Sequence, residues 1–384
     1  MKTLIKAIAI TFFIISFPVL PVLGDVHYPD PYWQSDAPEA HGFAPLALEN
    51  LKAYAVSIES DSLLIVKDGY ILLEEYWDGG DQFTQRQVWS VTKSITALIA
   101  GIASDRGQLS VSEQTSNYIP EWLGTDSETV TIEHLLRNIS GRYATCQSDT
   151  FPLSYLVTGR EFPSRRNLTQ YAIDLPWLGW TAQPQEYEPG TIWGYSNMAI
   201  QCLDRVISTS TGTPTKDFAG QNLLAPLEMS ATTIGTDKKG QMVMAAGIRS
   251  SARDLARIGY LVLNNGKWKG QQIISEEYIA NMISPGNNPL NRAYGYLWWL
   301  NTNDGEEWNS PNVEPDRQCV YGISQYDRRY PDAPLDVYVA SGKNGQYIIV
   351  SPSDNMVIIR QGHAEGGHAL INDLYKETAA AFMN

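Results

Sequence analysis

Two groups of β-rich segments, one near each end of the chain, most constrain the possible fold. Near the N-terminus, Leu63–Val66 and Tyr70–Trp77 are rich in strand formers, and Lys67-Asp68-Gly69 supplies a turn, so a hairpin is predicted. Near the C-terminus, short β-rich runs are separated by turn residues at Leu335–Ala340, Gln346–Ser351 and Met356–Arg360. We therefore expect both ends of the chain to contribute strands to one antiparallel sheet.

Helical patterns occupy most of the sequence between these strands. An apolar stretch predicts a long helix from about Val88 to Asp105, with Gly107 as its stop signal. Further helices are predicted to begin at Thr131, to run from about Asn197 to Ser208, and to run from about His368 to Met383. The sheet is therefore expected to be flanked by helices.

This order of elements predicts an α/β (α+β) fold with an inserted domain. We expect the α/β part to comprise about 45–105 and 235–384, and an all-helical insertion to span about 106–234. The aromatic-rich run Tyr294–Leu300 is predicted to be a strand. Its Trp298 and Trp299 are expected to pack the sheet, and the alternative is that one of them forms a wall of a substrate site.

The N-terminal residues 1–24 have the pattern of an export signal. A positively charged start precedes the mostly apolar run Ala7–Leu20, Val22–Gly24 offers a cleavage position, and Asp25 would begin the mature chain. An uncleaved membrane anchor is the alternative, but the run is short for a bilayer span and contains a proline. A periplasmic or secreted protein without stable membrane insertion is expected.

The charge balance argues against nucleic-acid and membrane partners. The 384-residue chain has 28 Lys and Arg residues against 42 Asp and Glu residues, a net charge of -14. Binding to nucleic acid or to an anionic membrane needs clustered basic residues. A small-molecule ester, amide or peptide-like substrate is the expected partner, and the sequence leaves the oligomeric state open.

The cysteines are too few to build a disulfide scaffold. Cys202 lies in a helical pattern and is expected in the core. Cys146 and Cys319 lie in loop-like sequence and form the more plausible pair if a bridge exists.

Most familiar hydrolase and cofactor motifs are absent from the sequence. It contains no G-x-S-x-G, no H-E-x-x-H, no P-loop and no dinucleotide fingerprint. The five histidines lack metal-ligand spacing, apart from His363 and His368 at a predicted turn. Neither a metal nor an organic cofactor is therefore expected.

The first candidate catalytic element is Ser90-Val91-Thr92-Lys93 in the most apolar predicted helix. Residues three apart on a helix share a face, so the serine hydroxyl and the lysine amine can meet. A lysine held among apolar side chains loses hydration, which lowers its pKa and allows a neutral amine to accept the serine proton. A serine three residues before a lysine also arises by chance about once in a chain of this length, so the helix context carries the interpretation.

The second element is Tyr195-Ser196-Asn197, which follows the turn at Glu188-Pro189-Gly190. A turn, a short bend and a helix starting near Asn197 would present the Tyr195 hydroxyl and an amide at a helix start. A tyrosine can relay a proton when a nearby cation lowers its pKa. Taken alone, a packing role for Tyr195 is the simpler interpretation.

The third element is the glycine-flanked segment Ala340–Gly345 between two predicted strands. It contains Ser341, Gly342 and Lys343. A glycine at a strand edge can bring a backbone N–H close to a substrate carbonyl, as an oxyanion hole requires. An ordinary tight connection between strands is the alternative.

In this order the three elements resemble those of the penicillin-recognising serine hydrolases. This group includes class C β-lactamases, DD-peptidases, family VIII esterases and 6-aminohexanoate-dimer hydrolases. The resemblance covers roughly residues 45 to 380 and includes Val130–Leu136, Ser140-Gly141 and Ala246–Ala256. The segment Gly342–Gln346 looks most like the 6-aminohexanoate-dimer hydrolase branch.

The resemblance implies roles for individual residues. Ser90 would be the acylated nucleophile, Lys93 its base partner and Tyr195 the proton shuttle to the leaving group. Asn197 would contact Lys93 or substrate, and the backbone N–H groups of Ser90 and Lys343 would form the oxyanion hole.

One departure from the family pattern bears on the substrate. Ala340-Ser341-Gly342 stands where β-lactamases have Lys-Thr-Gly, or His in place of Lys. The missing cation usually helps to hold the carboxylate of β-lactams, so esters or small amides are favoured over penicillins. Lys343 is a candidate for compensating the loss.

The expected function is therefore an exported serine hydrolase that cleaves an ester or a small amide without a cofactor. The alternatives are a true β-lactamase or DD-peptidase and, in another class, a non-catalytic ligand-binding protein on the same fold.

Overall fold

The computed structural model describes residues 26–142, 167–175, 188–191, 193–286, 291–302, 329–364 and 366–383. The predicted export signal, Cys146 and Cys319 lie outside these residues. Within the described ranges, no helix has the length and apolarity needed to cross a membrane.

The described residues form both the predicted elements and elements that the sequence did not predict, such as the helix before the first strand. The helices are α1 Pro45–Ser57, α2 Val91–Asp105, α3 Ile132–Leu136, α4 Leu168–Asp174, α5 Asn197–Thr211, α6 Thr215–Ala219, α7 Ala252–Leu263, α8 Glu276–Met282 and α9 Gly367–Ala379. The strands are β1 Ser60–Lys67, β2 Tyr70–Tyr76, β3 Arg86–Gln87, β4 Thr232–Ile234, β5 Ile248–Ser250, β6 Lys267–Trp268, β7 Gln271–Gln272, β8 Trp299–Leu300, β9 Tyr338–Gly342, β10 Gln346–Ser351 and β11 Met356–Gly362.

The main sheet joins strands from both ends of the chain. Its order is β2-β1-β11-β10-β9-β8, and every described pairing is antiparallel. The N-terminal hairpin meets the C-terminal strands where β1 pairs β11, with Leu64 opposite Ile359. The predicted α/β fold class, with an antiparallel sheet formed by both ends, is confirmed.

Helices cover both faces of this sheet. The residues of β11 are all buried, and so are those of β1 except its last, whereas a half-exposed strand would alternate. Helix α7 packs against β1, β10 and β11, α2 packs against β9 and β10, and α1 packs against β1 and α9. A Cβ atom on Gly259 of α7 would lie 2.5 Å from Val357 Cγ1, so glycine permits this close approach of helix and sheet.

Two predicted elements differ from the observed ones near the site. The long helix begins at Val91 rather than about Val88, because Trp89 has a left-handed φ of 49° that a helix does not accommodate. The prediction of a strand over Tyr294–Leu300 is wrong for most of the run. Only Trp299–Leu300 joins the sheet, since Leu297, at a φ of 58°, turns the chain just before it.

Smaller differences concern element ends. The helix that starts at Asn197 continues to Thr211, three residues beyond the predicted end, and Gly212 ends it with a φ of 68°. The strand predicted over Leu335–Ala340 is found at Tyr338–Gly342. Cys202 is fully buried in its helix, as expected. The proposed boundaries of a helical insertion remain a prediction.

Candidate functional site

Helix α2 places Ser90 and Lys93 at the centre of the molecule. Every residue from Val91 to Ala103 is buried, as expected for a helix that is apolar on most sides. Ser90 is half-buried and immediately precedes the first residue of the helix. The pair therefore occupies the first turn of a helix that is buried from Val91 to Ala103.

The Lys93 amine is in hydrogen-bonding contact with the Ser90 hydroxyl. Lys93 Nζ lies 2.8 Å from Ser90 Oγ and 2.9 Å from the carbonyl oxygen of Ala245. The Lys93 residue is only 1% exposed. This is the proximity that a serine nucleophile and a lysine base require.

The segment that leads into β5 fixes the position of α2. The Thr96 hydroxyl donates to the Met244 carbonyl at 2.9 Å, and the Thr92 hydroxyl accepts from the Ile248 amide at 3.1 Å. Together with the Lys93–Ala245 contact, these bonds align one face of the helix with residues 244–248. The Ala246–Ala256 segment noted in the sequence thus begins beside α2.

Tyr195 lies against the same amine. Lys93 Nζ is 4.8 Å from the centroid of the Tyr195 ring. The segment that carries the tyrosine is anchored by Asn138, whose carbonyl accepts from the Gly194 amide at 2.9 Å and whose Oδ1 accepts from the Ser196 amide at 3.2 Å. The structure therefore brings together the three groups that the sequence predicted as catalytic.

Asn138 is a positioning residue that the sequence analysis did not identify. It is buried and has a φ of 57°, a conformation that asparagine tolerates better than most residues. Ser196 then caps helix α5 by accepting from the Ala199 amide at 3.1 Å. As a result Asn197 is the first residue of α5 and is half-buried beside Tyr195.

The edge of β9 approaches the backbone of the Ser90 turn. A Cβ atom on Gly342 would lie 2.3 Å from the Val88 carbonyl oxygen and 3.2 Å from the Ser90 amide nitrogen. Only glycine allows this approach. Ser341 pairs with Tyr347 in the sheet, just before Gly342.

The Ser90 amide is available to a substrate oxygen. The amides of Val91, Thr92 and Lys93 each donate a backbone hydrogen bond, whereas the Ser90 amide has no backbone acceptor within the described ranges. Trp89, just before this amide, has a left-handed backbone conformation. This conformation costs about 1–2 kcal/mol of conformational free energy in a residue other than glycine. A strained residue directly before the candidate nucleophile is typical of functional sites.

Lys343 follows Gly342 and is exposed. Its amine lies 5.8 Å from the centroid of the Trp89 ring, at the rim of the site. The structure therefore places Ser90, Lys93, Tyr195, Gly342 and Lys343 around one turn of backbone.

An aromatic wall borders Tyr195. The Trp299 ring stacks on the Tyr195 ring with centroids 6.0 Å apart and planes 14° apart, and Trp299 also contacts Trp193 and Tyr294. Trp298 is fully buried against Tyr338. Trp298 thus packs the sheet, and Trp299 has the position that the substrate-wall alternative requires.

The histidines do not converge on a metal site in the described residues. His363 lies 3.1 Å from Asp61, and His368 contacts Arg329, so the two members of the predicted turn pair have different partners. No group of three metal-ligating side chains occurs within the described ranges.

Comparison with known proteins identifies relatives along most of the chain. The model of the family described as Beta-lactamase matches residues 48–373. The 6-aminohexanoate-dimer hydrolase of Paenarthrobacter ureafaciens is 22% identical over 266 residues, which cover 64% of this chain and 65% of that hydrolase. The match therefore spans slightly less than two thirds of the relative's length.

Two solved structures show the same fold. The class C beta-lactamase from Rhodobacter sphaeroides has a TM-score of 0.61 and 16% identity, covering 88% of this chain and 99% of that chain. A family VIII carboxylesterase has a TM-score of 0.60 and 16% identity, covering 88% of this chain and 98% of that chain. At these identities the likeness concerns the fold and not the activity.

Proposed function

Because this chain belongs to the beta-lactamase family, we propose that it is a serine hydrolase that cleaves an ester or a small amide through an acyl-enzyme on Ser90. The observation that carries the proposal is the 2.8 Å contact between Lys93 Nζ and Ser90 Oγ. The Tyr195 ring against the same amine supports it. We extend the proposal to export, with a periplasmic or secreted location.

In the first half of the reaction, Lys93 accepts the Ser90 proton. Burial favours the neutral form of an amine, and a neutral amine can act as a base. Ser90 Oγ then attacks the substrate carbonyl. The N–H groups of Ser90 and Lys343 donate to the oxyanion, a type of contribution worth about 10²–10³ in rate per donor.

In the second half, the leaving group departs and the acyl-enzyme is hydrolysed. Tyr195 passes the proton that Ser90 lost to the leaving oxygen or nitrogen, so that a neutral alcohol or amine is released. Water then attacks the acyl carbonyl and yields a proton to the same Lys93–Tyr195 pair. Ser90 leaves the carbonyl as its alkoxide, takes that proton back and is regenerated.

The third element favours esters and small amides over penicillins. Ala340-Ser341-Gly342 offers no cation where the related β-lactamases have Lys or His. Lys343 is exposed, and its amine lies 5.8 Å from the centroid of the Trp89 ring.

The test is active-site labelling with a fluorophosphonate, together with hydrolysis of p-nitrophenyl esters. Ser90→Ala is expected to abolish both. Ser94→Ala is the matched control, because Ser94 lies on the same helix but donates to the Leu297 carbonyl at 2.6 Å, and it should keep both activities. Labelling that persists in Ser90→Ala would reject the assignment.

A substrate panel separates the alternatives. Short amide oligomers, p-nitrophenyl esters and a chromogenic cephalosporin are offered to the same protein. Preferred turnover of the cephalosporin would favour a β-lactamase or DD-peptidase. Binding of a cell-wall fragment without turnover of any acyl donor would favour a non-catalytic binding protein.

A further inference from the structure

A buried arginine lies one aromatic ring away from Tyr195. Arg329 is 7% exposed, and its guanidinium carbon is 4.4 Å from the centroid of the Trp299 ring. The same Trp299 ring stacks on Tyr195, which in turn lies against the Lys93 amine. Arg329 is therefore connected to the candidate catalytic residues by consecutive side-chain contacts.

Among the described residues, Arg329 differs from the other buried arginines in having no oxygen acceptor. Within the described ranges its hydrogen-bond contact is with the His368 imidazole, and its Nε has no partner. By contrast, carbonyl, hydroxyl or carboxylate oxygens accept from Arg137, Arg142, Arg257 and Arg360. A buried guanidinium whose N–H groups lack oxygen acceptors is costly, and a ligand oxygen would supply the missing acceptor.

The contact with His368 orients the guanidinium but does not neutralise it. Burial, with the nearby charge of Arg329, holds the pKa of His368 well below its usual range, so the imidazole is neutral. Its Nε2 therefore accepts from Arg329, and its Nδ1 lies 3.3 Å from the Tyr330 hydroxyl. The positive charge of Arg329, which arginine keeps at neutral pH, is left uncompensated by these neighbours.

The surroundings of Arg329 suit an anion rather than a second cation. His368 lies in the first turn of helix α9, Gly367–Ala379, where backbone N–H groups add positive potential. Among the described residues, the Trp299 ring lies against the guanidinium, and the rings of Trp299 and Tyr330 contact His368. Burial of the guanidinium strengthens a charge-assisted hydrogen bond.

We propose that Arg329 binds a carboxylate of the substrate, so that the preferred substrates are esters or amides that carry a carboxylate several bonds from the scissile carbonyl. This inference deepens the proposed function and rests on it. A guanidinium matches a carboxylate with two parallel hydrogen bonds. Arg329 thereby supplies, from a different element, the cation that Ala340-Ser341-Gly342 lacks.

The first test compares two esters, one with a free carboxylate and one in which that carboxylate is methylated. The mono-p-nitrophenyl ester of adipic acid has a free carboxylate, and its methyl ester does not. Wild-type protein is expected to prefer the free acid at least 10-fold in kcat/KM. Arg329→Met should reduce that preference about 10- to 100-fold.

Two further variants keep this test decisive. Arg329→Lys retains the charge but not the planar fork, and it should retain part of the preference. Arg137→Met is the matched control, since Arg137 is also buried and also 4.4 Å from an aromatic ring, that of Tyr296, but is paired with Glu133 at 2.7 Å. Its preference should equal that of wild type, because a ratio of two substrates does not depend on the folded fraction.

A binding measurement separates this inference from the proposed function. Ser90→Ala protein is titrated with adipate and with the neutral adipamide, and binding is detected by tryptophan fluorescence or calorimetry. This measurement does not require turnover. Adipate should bind at least 10-fold more tightly than adipamide, and the added Arg329→Met change should remove the difference. Absence of hydrolysis with Arg329-dependent adipate binding would reject the proposed function alone. Hydrolysis with no carboxylate preference, or a preference that survives Arg329→Met, would overturn this inference.

Discussion

Replacement of Gly342 by alanine tests how closely β9 must approach the nucleophile. The added Cβ would lie 2.3 Å from the Val88 carbonyl oxygen and 3.2 Å from the Ser90 amide nitrogen. Ordinary carbon–oxygen contacts begin at roughly 3.3 Å, so the two backbones must separate by about 1 Å. Neither atom belongs to a side chain that could rotate away.

The size of the effect follows from this displacement. The Lys343 amide, which we propose as an oxyanion donor, moves with the strand away from Ser90. Misplacing a catalytic group by about 1 Å costs about 10²-fold in rate, so kcat should fall at least 100-fold while KM changes little. The same overlap should reduce the free energy of unfolding by about 1–3 kcal/mol.

Steady-state hydrolysis of a p-nitrophenyl ester and thermal unfolding measure both effects. Gly259→Ala is the control, because its Cβ would lie 2.5 Å from Val357 Cγ1, far from the site along the chain. That variant should lose comparable stability but keep kcat within about threefold of wild type. A Gly342→Ala protein with near-wild-type kcat would refute the proposed oxyanion hole.

Two further predictions concern the Tyr195 segment and a buried carboxyl. Asn138→Ala removes the acceptor of the Ser196 amide and should lower kcat about 10-fold. Asn138→Asp keeps an acceptor, so its kcat should stay within a few-fold of wild type. Equal kcat values in the two variants would contradict the positioning role of Asn138. Burial raises the pKa of Asp204 to about 6. The folded state therefore holds the proton of this carboxyl more strongly than the unfolded state does, and the free energy of unfolding falls as the pH rises from about 4 to 6. Denaturant unfolding measures this effect as the free energy of unfolding of Asp204→Asn minus that of wild type. This difference should be about 2–3 kcal/mol larger at pH 7 than at pH 4. A difference that does not change with pH would contradict the prediction.

Much of the fold was predictable because its signals are local. The hairpin around Lys67-Asp68-Gly69 and the C-terminal strands combine β-forming residues with turn residues, and the structure confirms both. The apolar character of α2 predicted its central position. The match to the Beta-lactamase family over 48–373 confirms the resemblance that was based on three short motifs.

The features that the sequence did not predict depend on backbone conformation or on distant contacts. The aromatic run before Trp299 reads as a strand by composition, but the left-handed φ of Leu297 breaks it. Asn138 looks like an ordinary loop residue until the loop that it anchors is placed. Arg329 and His368 lie 39 residues apart, and nothing in either neighbourhood indicates that they meet.

Pairing of the first and last strands also has a consequence for biosynthesis. The Ser62 hydroxyl bonds to Gln361, which lies 299 positions further along the chain, and Gly342 of β9 approaches the Ser90 turn from the C-terminal part of the chain. Such distant pairing is slow to form, because a very long loop must close first. The polypeptide is therefore expected to stay inert on the ribosome and to acquire hydrolytic competence only after its final strands have emerged and docked.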